Sequence, residues 1–472
     1  MDFYSKYMYW LENDYFDEDT KKELLSIKDN KKEIEDRFYK ELEFGTAGLR
    51  GIIGAGTNRM NKYIIRKVSQ GLADYINKKG NIFAKRGIVI AYDSRFKSQE
   101  FALEASLVFA ANGITTWFFD EIKPVSFLSF AIRYLNAAAG VAITASHNPV
   151  EYNGYKAYWD DGAQVVEPHA TLIVEEVNKI ESFDQVKVMS EDEGKARGLI
   201  IELDGRIDDD YITAVKKQVL NKEIPGKENF KIVYTPLHGT GGRPMERVLT
   251  DLGFNYVVVK EQIVPDGTFP TVGYANPEEV AAFALGVKTA DEVGAELVMA
   301  NDPDADRIGI AVKDDKNEWY YPNGNQVGLL LLQYILNNKK DIPANGKVIT
   351  TVVSTPMIDV VAPAKNVGVI KTLTGFKYIG EKNGIPVSGI RMNIKNKTVE
   401  SVFINGVALD LEKTYRVATN DYLANGGDNM SFLKSAITNT AINYTVRDAF
   451  INELKEIKAA GQTLKVNLDG RI

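Results

Sequence analysis

Short, almost wholly apolar runs that break into polar turns recur along this chain, and no other feature constrains its fold as strongly. Ile88-Val89-Ile90-Ala91-Tyr92, Ile232-Val233-Tyr234 and Val348-Ile349-Thr350-Thr351-Val352-Val353 read as apolar strands, and Gly140-Val141-Ala142-Ile143 and Leu297-Val298-Met299-Ala300 as buried ones. Longer stretches of helical character separate them, which predicts mixed α/β layers with functional loops at the strand ends. Near the N-terminus, Thr20-Lys21-Lys22-Glu23 has the spacing of a capping box and is followed by Leu24, Leu25 and Ile27, which predicts a helix starting at Thr20. With 472 residues, 44% of them hydrophobic, the chain has room for three or four domains with ample core.

One strand end stands out. Gly140-Val141-Ala142-Ile143 runs into Thr144-Ala145-Ser146-His147-Asn148-Pro149, and Pro149 biases Asn148 away from helix. Such a turn holds the Ser146 hydroxyl at a rigid strand end, and the sequence predicts it presented rather than buried. Lys156 follows in Asn153-Gly154-Tyr155-Lys156, a cation suited to bind phosphate or, if burial lowers its pKa, to exchange protons. Taken alone, Ser146 reads as a capping serine in an ordinary turn.

A second strand end changes that balance. After Leu297-Val298-Met299-Ala300, the chain reads Asn301-Asp302-Pro303-Asp304-Ala305-Asp306-Arg307 and returns to apolar residues at Ile308-Gly309-Ile310-Ala311-Val312. Carboxylates at alternate positions of an extended loop share one side, and such hard oxygen donors suit Mg²⁺ or Ca²⁺. An EF-hand starting at Asp302 is excluded, because its glycine and glutamate positions hold Arg307 and Lys313. Three protein carboxylates leave a cation with positions open for water or a phosphate oxygen, and Arg307 is placed to hold the same phosphate. His169 and His238 fit no metal-ligand spacing and read as ordinary residues.

Residues 1 to about 382 resemble the α-D-phosphohexomutase family, the phosphoglucomutases and phosphomannomutases. Glu43-Phe44-Gly45-Thr46-Ala47-Gly48-Leu49-Arg50-Gly51 is similar to that family's N-terminal phosphate loop, and Thr144 to Pro149 to its phosphoserine loop. Asp302 to Arg307 resembles its Mg²⁺ loop, and Thr374-Gly375-Phe376-Lys377 part of its sugar-recognition region. The resemblance implies three mixed α/β domains, over roughly 1–205, 206–315 and a truncated 316–384. It implies interconversion of glucose 1-phosphate and glucose 6-phosphate through a phosphoserine and a hexose bisphosphate. It further implies Ser146, His147 and Lys156 as catalytic residues, and Ser146, Asp302, Asp304 and Asp306 as Mg²⁺ ligands. Arg50, Arg307, Thr374, Gly375 and Lys377 are implied to bind the phosphorylated hexose, with hexose 1,6-bisphosphate as activator.

The likeness stops near Lys382, since the family's Glu-Glu-Ser loop and its Arg-x-Ser-Gly-Thr phosphate loop do not occur. Residues 385–472 instead resemble the C-terminal domain of the 5′-nucleotidase family, through Pro386-Val387-Ser388-Gly389-Ile390-Arg391, Tyr415 to Asp428 and Val446-Arg447-Asp448-Ala449. That predicts a small α+β segment in which Tyr422 stacks on a base or, with Phe432, packs a core. Metallophosphatase motifs do not occur upstream, so nucleotide hydrolysis is not expected, and an inactive or binding-only chimera is the alternative to a mutase of reduced turnover. A net charge of −7 argues against a general nucleic-acid binder, and zero cysteines exclude disulfide and thiolate chemistry. No apolar run reaches membrane-spanning length and the first residues lack an apolar leader, so a cytoplasmic protein is expected.

Overall fold

The computed structural model describes residues 2–43, 48–203, 205–221, 223–343 and 346–381, and three strands between 390 and 408. Residues 44–47 of the first glycine-rich loop, and Pro386, Tyr415 to Asp428, Phe432 and Val446 to Ala449, lie outside the described residues. The chain divides into two compact units, Met1–Gly384 and Ile385–Ile472.

The first sheet contains β1 (Gly48–Ile52), β2 (Ile88–Tyr92), β3 (Thr116–Phe118), β4 (Ala139–Ile143), β5 (Tyr152–Trp159) and β6 (Ile200–Glu202), in the order β1-β5-β4-β2-β3-β6. Pairing is parallel from β4 through β2 and β3 to β6, while β5 runs antiparallel to both β4 and β1. Helices cover both faces, which explains why β2 and β4 are apolar without alternation. Along β2, Ile88, Ile90 and Tyr92 pack with the helices Lys62–Lys78 and Ser98–Ala111, whereas Val89 and Ala91 pack with the helix Val125–Tyr134. The period-two alternation of strand side chains sends these two sets to opposite faces.

Ahead of this sheet, three helices, Phe3–Glu12, Glu18–Ser26 and Lys31–Phe38, enclose an aromatic cluster with Trp10 stacked on Phe16 at 4.2 Å. The second of these helices does not start at Thr20. Asp17 is its N-cap, with its carboxylate accepting from Thr20 N at 2.8 Å, so the predicted cap sits inside the first turn. Asp17 wins because it also pairs with Lys62 and its own N–H donates to the Tyr63 hydroxyl, anchoring the cap to the helix that follows.

A second sheet holds β7 (Lys231–Thr235), β8 (Asn255–Val258), β9 (Leu297–Asn301), β10 (Ile308–Lys313) and β11 (Trp319–Tyr320), ordered β11-β10-β9-β7-β8. β9 and β10 form a tight antiparallel pair, with Ile308 opposite Asn301, so residues 302–307 close the hairpin between them. A two-stranded parallel sheet of β12 (Lys347–Thr351) and β13 (Gly368–Thr372) follows. The helix before it, Gly324–Asn338, buries none of its residues and leaves Leu330 and Leu331 more than half exposed. In the second unit, β14 (Ile390–Lys395), β15 (Thr398–Ile404) and β16 (Val407–Ala408) form an antiparallel sheet. Among the described residues no helix is long and apolar enough to cross a membrane.

The β1–β5 pairing sets the position of Arg50, and Gly48 starts it opposite Lys156 at φ +142°. A Cβ there would sit 1.9 Å from the Tyr155 carbonyl oxygen. Gly48→Ala is therefore expected to lower stability by about 3 kcal/mol through backbone strain and displacement of β1. Urea denaturation measures this, and an unchanged midpoint would contradict the pairing.

Candidate active site

The strand end at β4 and the β9–β10 hairpin meet. Thr144 carries the β4 direction one step further, its N–H bonding to the Gly154 carbonyl at 3.1 Å, and its hydroxyl accepts from Ser146 N at 2.8 Å. This short side-chain turn bends the chain, and Ser146 takes the left-handed conformation at φ +52°. The Ser146 hydroxyl then donates to Asp302 Oδ2 at 2.7 Å and lies 3.1 Å from His147 Nδ1. The presentation of this hydroxyl predicted from sequence is corrected: Ser146 is 3% exposed, because the aspartate loop of the second sheet lies over the turn.

Lys156 reaches the same place from the neighbouring strand. The β4–β5 register sets it beside Ala142, and its ammonium donates to Asp304 Oδ2 at 2.7 Å with Asp306 Oδ2 at 3.5 Å. The Thr144 hydroxyl donates to that same Asp304 oxygen at 3.2 Å. Donor atoms of Asp302, Asp304 and Asp306 all lie within 4.8 Å of one another, with Asp302 and Asp304 buried and Asp306 exposed.

Charge in this cluster is unevenly held. Burial, then the charges of Asp304 and Asp306, push the Asp302 carboxyl well above the usual carboxylate range. Asp306 is also raised: although its side chain reaches solvent, the protein packed around it disfavours its charge, and the charge of Asp304 adds to this. Burial opposes charge on Asp304 as well, but the Lys156 ammonium holds it well below that range. The sequence allowed for a Lys156 with its pKa lowered by burial. The structure reverses this: burial does penalise the ammonium, but Asp304 and Asp306 outweigh it and raise the lysine. His147 is lowered to about 4, first by burial and then by the Arg307 and Arg50 cations.

These groups fit a hard divalent cation. Asp304 Oδ1 is buried without a hydrogen-bond partner, a costly arrangement for a carboxylate oxygen and one that cation binding would relieve. The hairpin that carries it is rigidly backed. Arg307 N donates to Asp302 Oδ1 at 2.9 Å, Val125 N to the Asp304 carbonyl at 3.0 Å, and Thr240 N to the Pro303 carbonyl at 2.8 Å. Gly239 is required beside it, since a Cβ would approach Pro303 Cα to 2.4 Å.

Ser146, His147, Lys156, Asp302, Asp304 and Asp306 are thus brought together as one cluster. Arg50 stands at its edge, donating from Nη1 to Asn148 Oδ1 at 3.1 Å, and Arg307 pairs with Glu278 at 3.0 Å. Thr374, Gly375 and Lys377 belong to a different layer, at and beyond the turn that leads from β13 into the helix Phe376–Glu381; the Lys377 ammonium lies over the Tyr378 ring. His169 bonds to the Tyr75 hydroxyl at 2.7 Å and stacks on Trp159, while His238 spans the Val264 carbonyl and the Thr271 hydroxyl. Reasoning from sequence missed Thr144, whose spacing two residues before Ser146 was a usable side-chain-turn signal. It also missed Thr240 and Arg95, for which the sequence carried no comparable signal.

Family models of the phosphoglucomutase/phosphomannomutase α/β/α domains I, II and III match residues 41–184, 209–316 and 323–384. A phosphoglucomutase of Staphylococcus saprophyticus is 38% identical over 341 residues, covering 72% of this chain and 61% of the relative. A phosphopentomutase of Mus musculus is 34% identical over 395 residues, covering 80% and 63%. The chain therefore spans about three-fifths of the length of these curated relatives. Among solved structures, a phosphoglucomutase/phosphomannomutase family protein of Burkholderia thailandensis aligns with TM-score 0.57 at 19% identity, over 72% of this chain and 68% of that one. Parafusin, a phosphoglucomutase from Paramecium solved in an open form, aligns with TM-score 0.56 at 18% identity, over 72% and 64%. At these identities the structures report the fold.

Two titrations follow from the cluster. By NMR, the His147 imidazole is expected to stay neutral down to about pH 4, so stability associated with it, complete above the ordinary value of 6.5, declines as pH falls from there towards about 4. A His147 titrating near 6.5 would contradict the assigned surroundings. Asp302 has the opposite sign: its folded carboxyl is raised, so its contribution is present below the unfolded value and is lost as pH rises through the folded one. Mg²⁺ is therefore expected to bind with release of a proton, more tightly at higher pH, and more weakly to Asp304→Asn. Calorimetry in two buffers of different ionisation enthalpy reads the proton, and equal Mg²⁺ binding by both proteins would remove the site.

Proposed function

Because this chain belongs to the phosphoglucomutase/phosphomannomutase family, we propose that Ser146 carries a phosphoryl group between two oxygens of a phosphorylated sugar. The observation that carries this reading is the hydrogen bond from Ser146 Oγ to Asp302 across two sheets, which sets a nucleophilic oxygen against a three-carboxylate cation site. Asp302, Asp304, Asp306 and the Ser146 oxygen would hold Mg²⁺, which when bound supplies charge neutralisation for the phosphate.

The protein's own residues supply position and protons. In loading, Ser146 Oγ forms a bond to phosphorus as the bond from phosphorus to the sugar oxygen breaks, giving phosphoserine and a sugar hydroxyl. The Oγ proton departs to the neutral His147, whose Nδ1 lies 3.1 Å away, since Asp302 would be engaged by the cation. Burial opposes charge on Lys156 but Asp304 and Asp306 favour its ammonium form, so it starts as the acid that protonates the leaving sugar oxygen. Once neutral, the same amine takes the proton of the sugar hydroxyl in the return transfer, as the sugar oxygen bonds to phosphorus, the Oγ–phosphorus bond breaks and Oγ takes back the proton it gave up. Arg50 and Arg307 bring charge to the phosphate oxygens from opposite sheets. Burial of Ser146 keeps water from competing as acceptor.

Glucose 1-phosphate and glucose 6-phosphate are the proposed substrates, with glucose 1,6-bisphosphate as phosphate donor to Ser146. Phosphopentose is the second reading, favoured by the similarity to phosphopentomutases. Residues 374–377 are proposed to face the sugar.

Intact mass after incubation with glucose 1,6-bisphosphate and Mg²⁺ is expected to rise by one phosphate, located on the Ser146 peptide and missing in Ser146→Ala. A wild-type protein that never gains the phosphate, or gains it on another residue, would end this assignment. Turnover of glucose 1-phosphate against ribose 1-phosphate then separates the two sugar readings.

A further inference from the structure

Four carbonyls of the Ser146 turn point at one side chain that no motif singled out. Arg95 Nε and Nη2 donate to the Ser146 carbonyl at 3.2 and 2.6 Å, Nη2 also to the Asn148 carbonyl, and Nη1 to the Pro149 and Tyr152 carbonyls at 2.9 and 3.1 Å. All five N–H groups of the guanidinium are spent on backbone oxygens. None is left for a phosphate, which separates Arg95 from Arg50 and Arg307.

The charge is enclosed, with the Arg95 side chain 0% exposed. Asp93 balances it, with Oδ2 at 3.6 Å from Nε and Oδ1 accepting from Arg95 N at 3.0 Å and from the Ser98 hydroxyl at 2.7 Å. A buried ion pair of this kind is retained at a cost in desolvation, which argues for a positional role rather than a stabilising one. On its other face the guanidinium lies 5.1 Å from the Phe269 ring, which belongs to the second sheet's loops. Gly267 of that loop bridges to Arg95, and a Cβ on it would meet Phe96 N at 2.4 Å and the Ser94 carbonyl oxygen at 2.6 Å. The segment carrying Phe269 is therefore seated on the arginine turn with no room between them.

We propose that Arg95 is a positioning residue that holds Ser146 in its left-handed conformation, and that Phe269 makes this hold depend on contact from the layer that also supplies Asp302, Asp304 and Asp306. The inference rests on the reading of Ser146 as phosphate carrier. It explains how the serine oxygen keeps its alignment to carboxylates on another sheet: one planar fork fixes the turn, and the loop pressing on that fork is built on the same sheet as the carboxylates. A lysine cannot replace it, because an ammonium has three donors and no fork.

The experiment compares the full chain with Arg95→Lys and Phe269→Leu by hydrogen–deuterium exchange and by the rate at which Ser146 takes phosphate from glucose 1,6-bisphosphate with Mg²⁺. Arg95→Lys is expected to exchange faster over residues 144–153 while residues 88–92 stay protected, and to load Ser146 about 100-fold more slowly, as a displaced nucleophile does. The half-saturating bisphosphate concentration is expected to stay unchanged, since Arg95 touches no phosphate. Phe269→Leu should show the same pattern in weaker form, and it decides the matter by itself if Arg95→Lys does not fold. Wild-type exchange over 144–153 in the variants, or loss of protection over 88–92 equal to that over 144–153, would overturn the proposal. Wild-type protein that never loads phosphate would instead overturn the reading of Ser146, with exchange still deciding whether Arg95 holds the turn.

Discussion

Asp304 is the constraint around which this molecule is arranged. It is 1% exposed, lies at the tip of a hairpin on one sheet, and receives the Lys156 ammonium and Thr144 hydroxyl from another. An ionised carboxylate in such a place is tolerated only with a cation against it, and removal of either partner leaves an uncompensated buried charge. The register of β5, the turn after β4 and the closure of the β9–β10 hairpin must therefore all be satisfied together. Ser146 inherits its position from that agreement, because Thr144 bonds both to Asp304 and to the Ser146 N–H.

The same arrangement concentrates more negative charge than one lysine can balance. Asp302 answers by resisting ionisation, and Asp304 Oδ1 remains without a hydrogen-bond partner. Both features are electrostatic costs of the folded protein that an added cation would relieve. Lys156 shares Asp304 with any such cation, which links the protonation of the amine to occupation of the carboxylates.

Much of this was legible in the sequence because it is local. The apolar runs ending in polar turns read correctly as β2, β4, β7 and β9, and as β12 only up to Thr351, since Val352 and Val353 lie exposed in the turn beyond it; alternate spacing of Asp302, Asp304 and Asp306 sufficed to gather them. What escaped was everything decided by contact between distant segments. Ser146 looked presented because its own turn is polar, yet the loop that buries it begins 156 residues later. The Lys156 shift had the opposite sign from the one its burial suggested, since the competing carboxylates arrive from another sheet. Thr20 lost the helix cap to Asp17 for the same reason, a tie to Lys62 and Tyr63 that no local pattern encodes. The resemblance of residues 385–472 to a nucleotidase C-terminal domain falls mostly outside the described residues, where β14, β15 and β16 alone are described.

Chemistry and substrate retention are separable demands in this chain. The Ser146 cluster is enclosed by two well-filled sheets, so its geometry is held by core packing on both sides. The third layer is built differently: its described sheet has two strands, the preceding helix Gly324–Asn338 buries no residue, and Phe376 within the proposed sugar segment is 81% exposed. Few buried apolar contacts mean a low free energy of local opening, as expected of elements that admit and release ligands. Energy from the remote end of a substrate accelerates transfer only when it is converted into alignment at the reacting end. In this fold any such conversion passes from a thinly packed layer to a rigid one, whereas the hydrogen bonds that place the Ser146 hydroxyl are made within the first two layers alone.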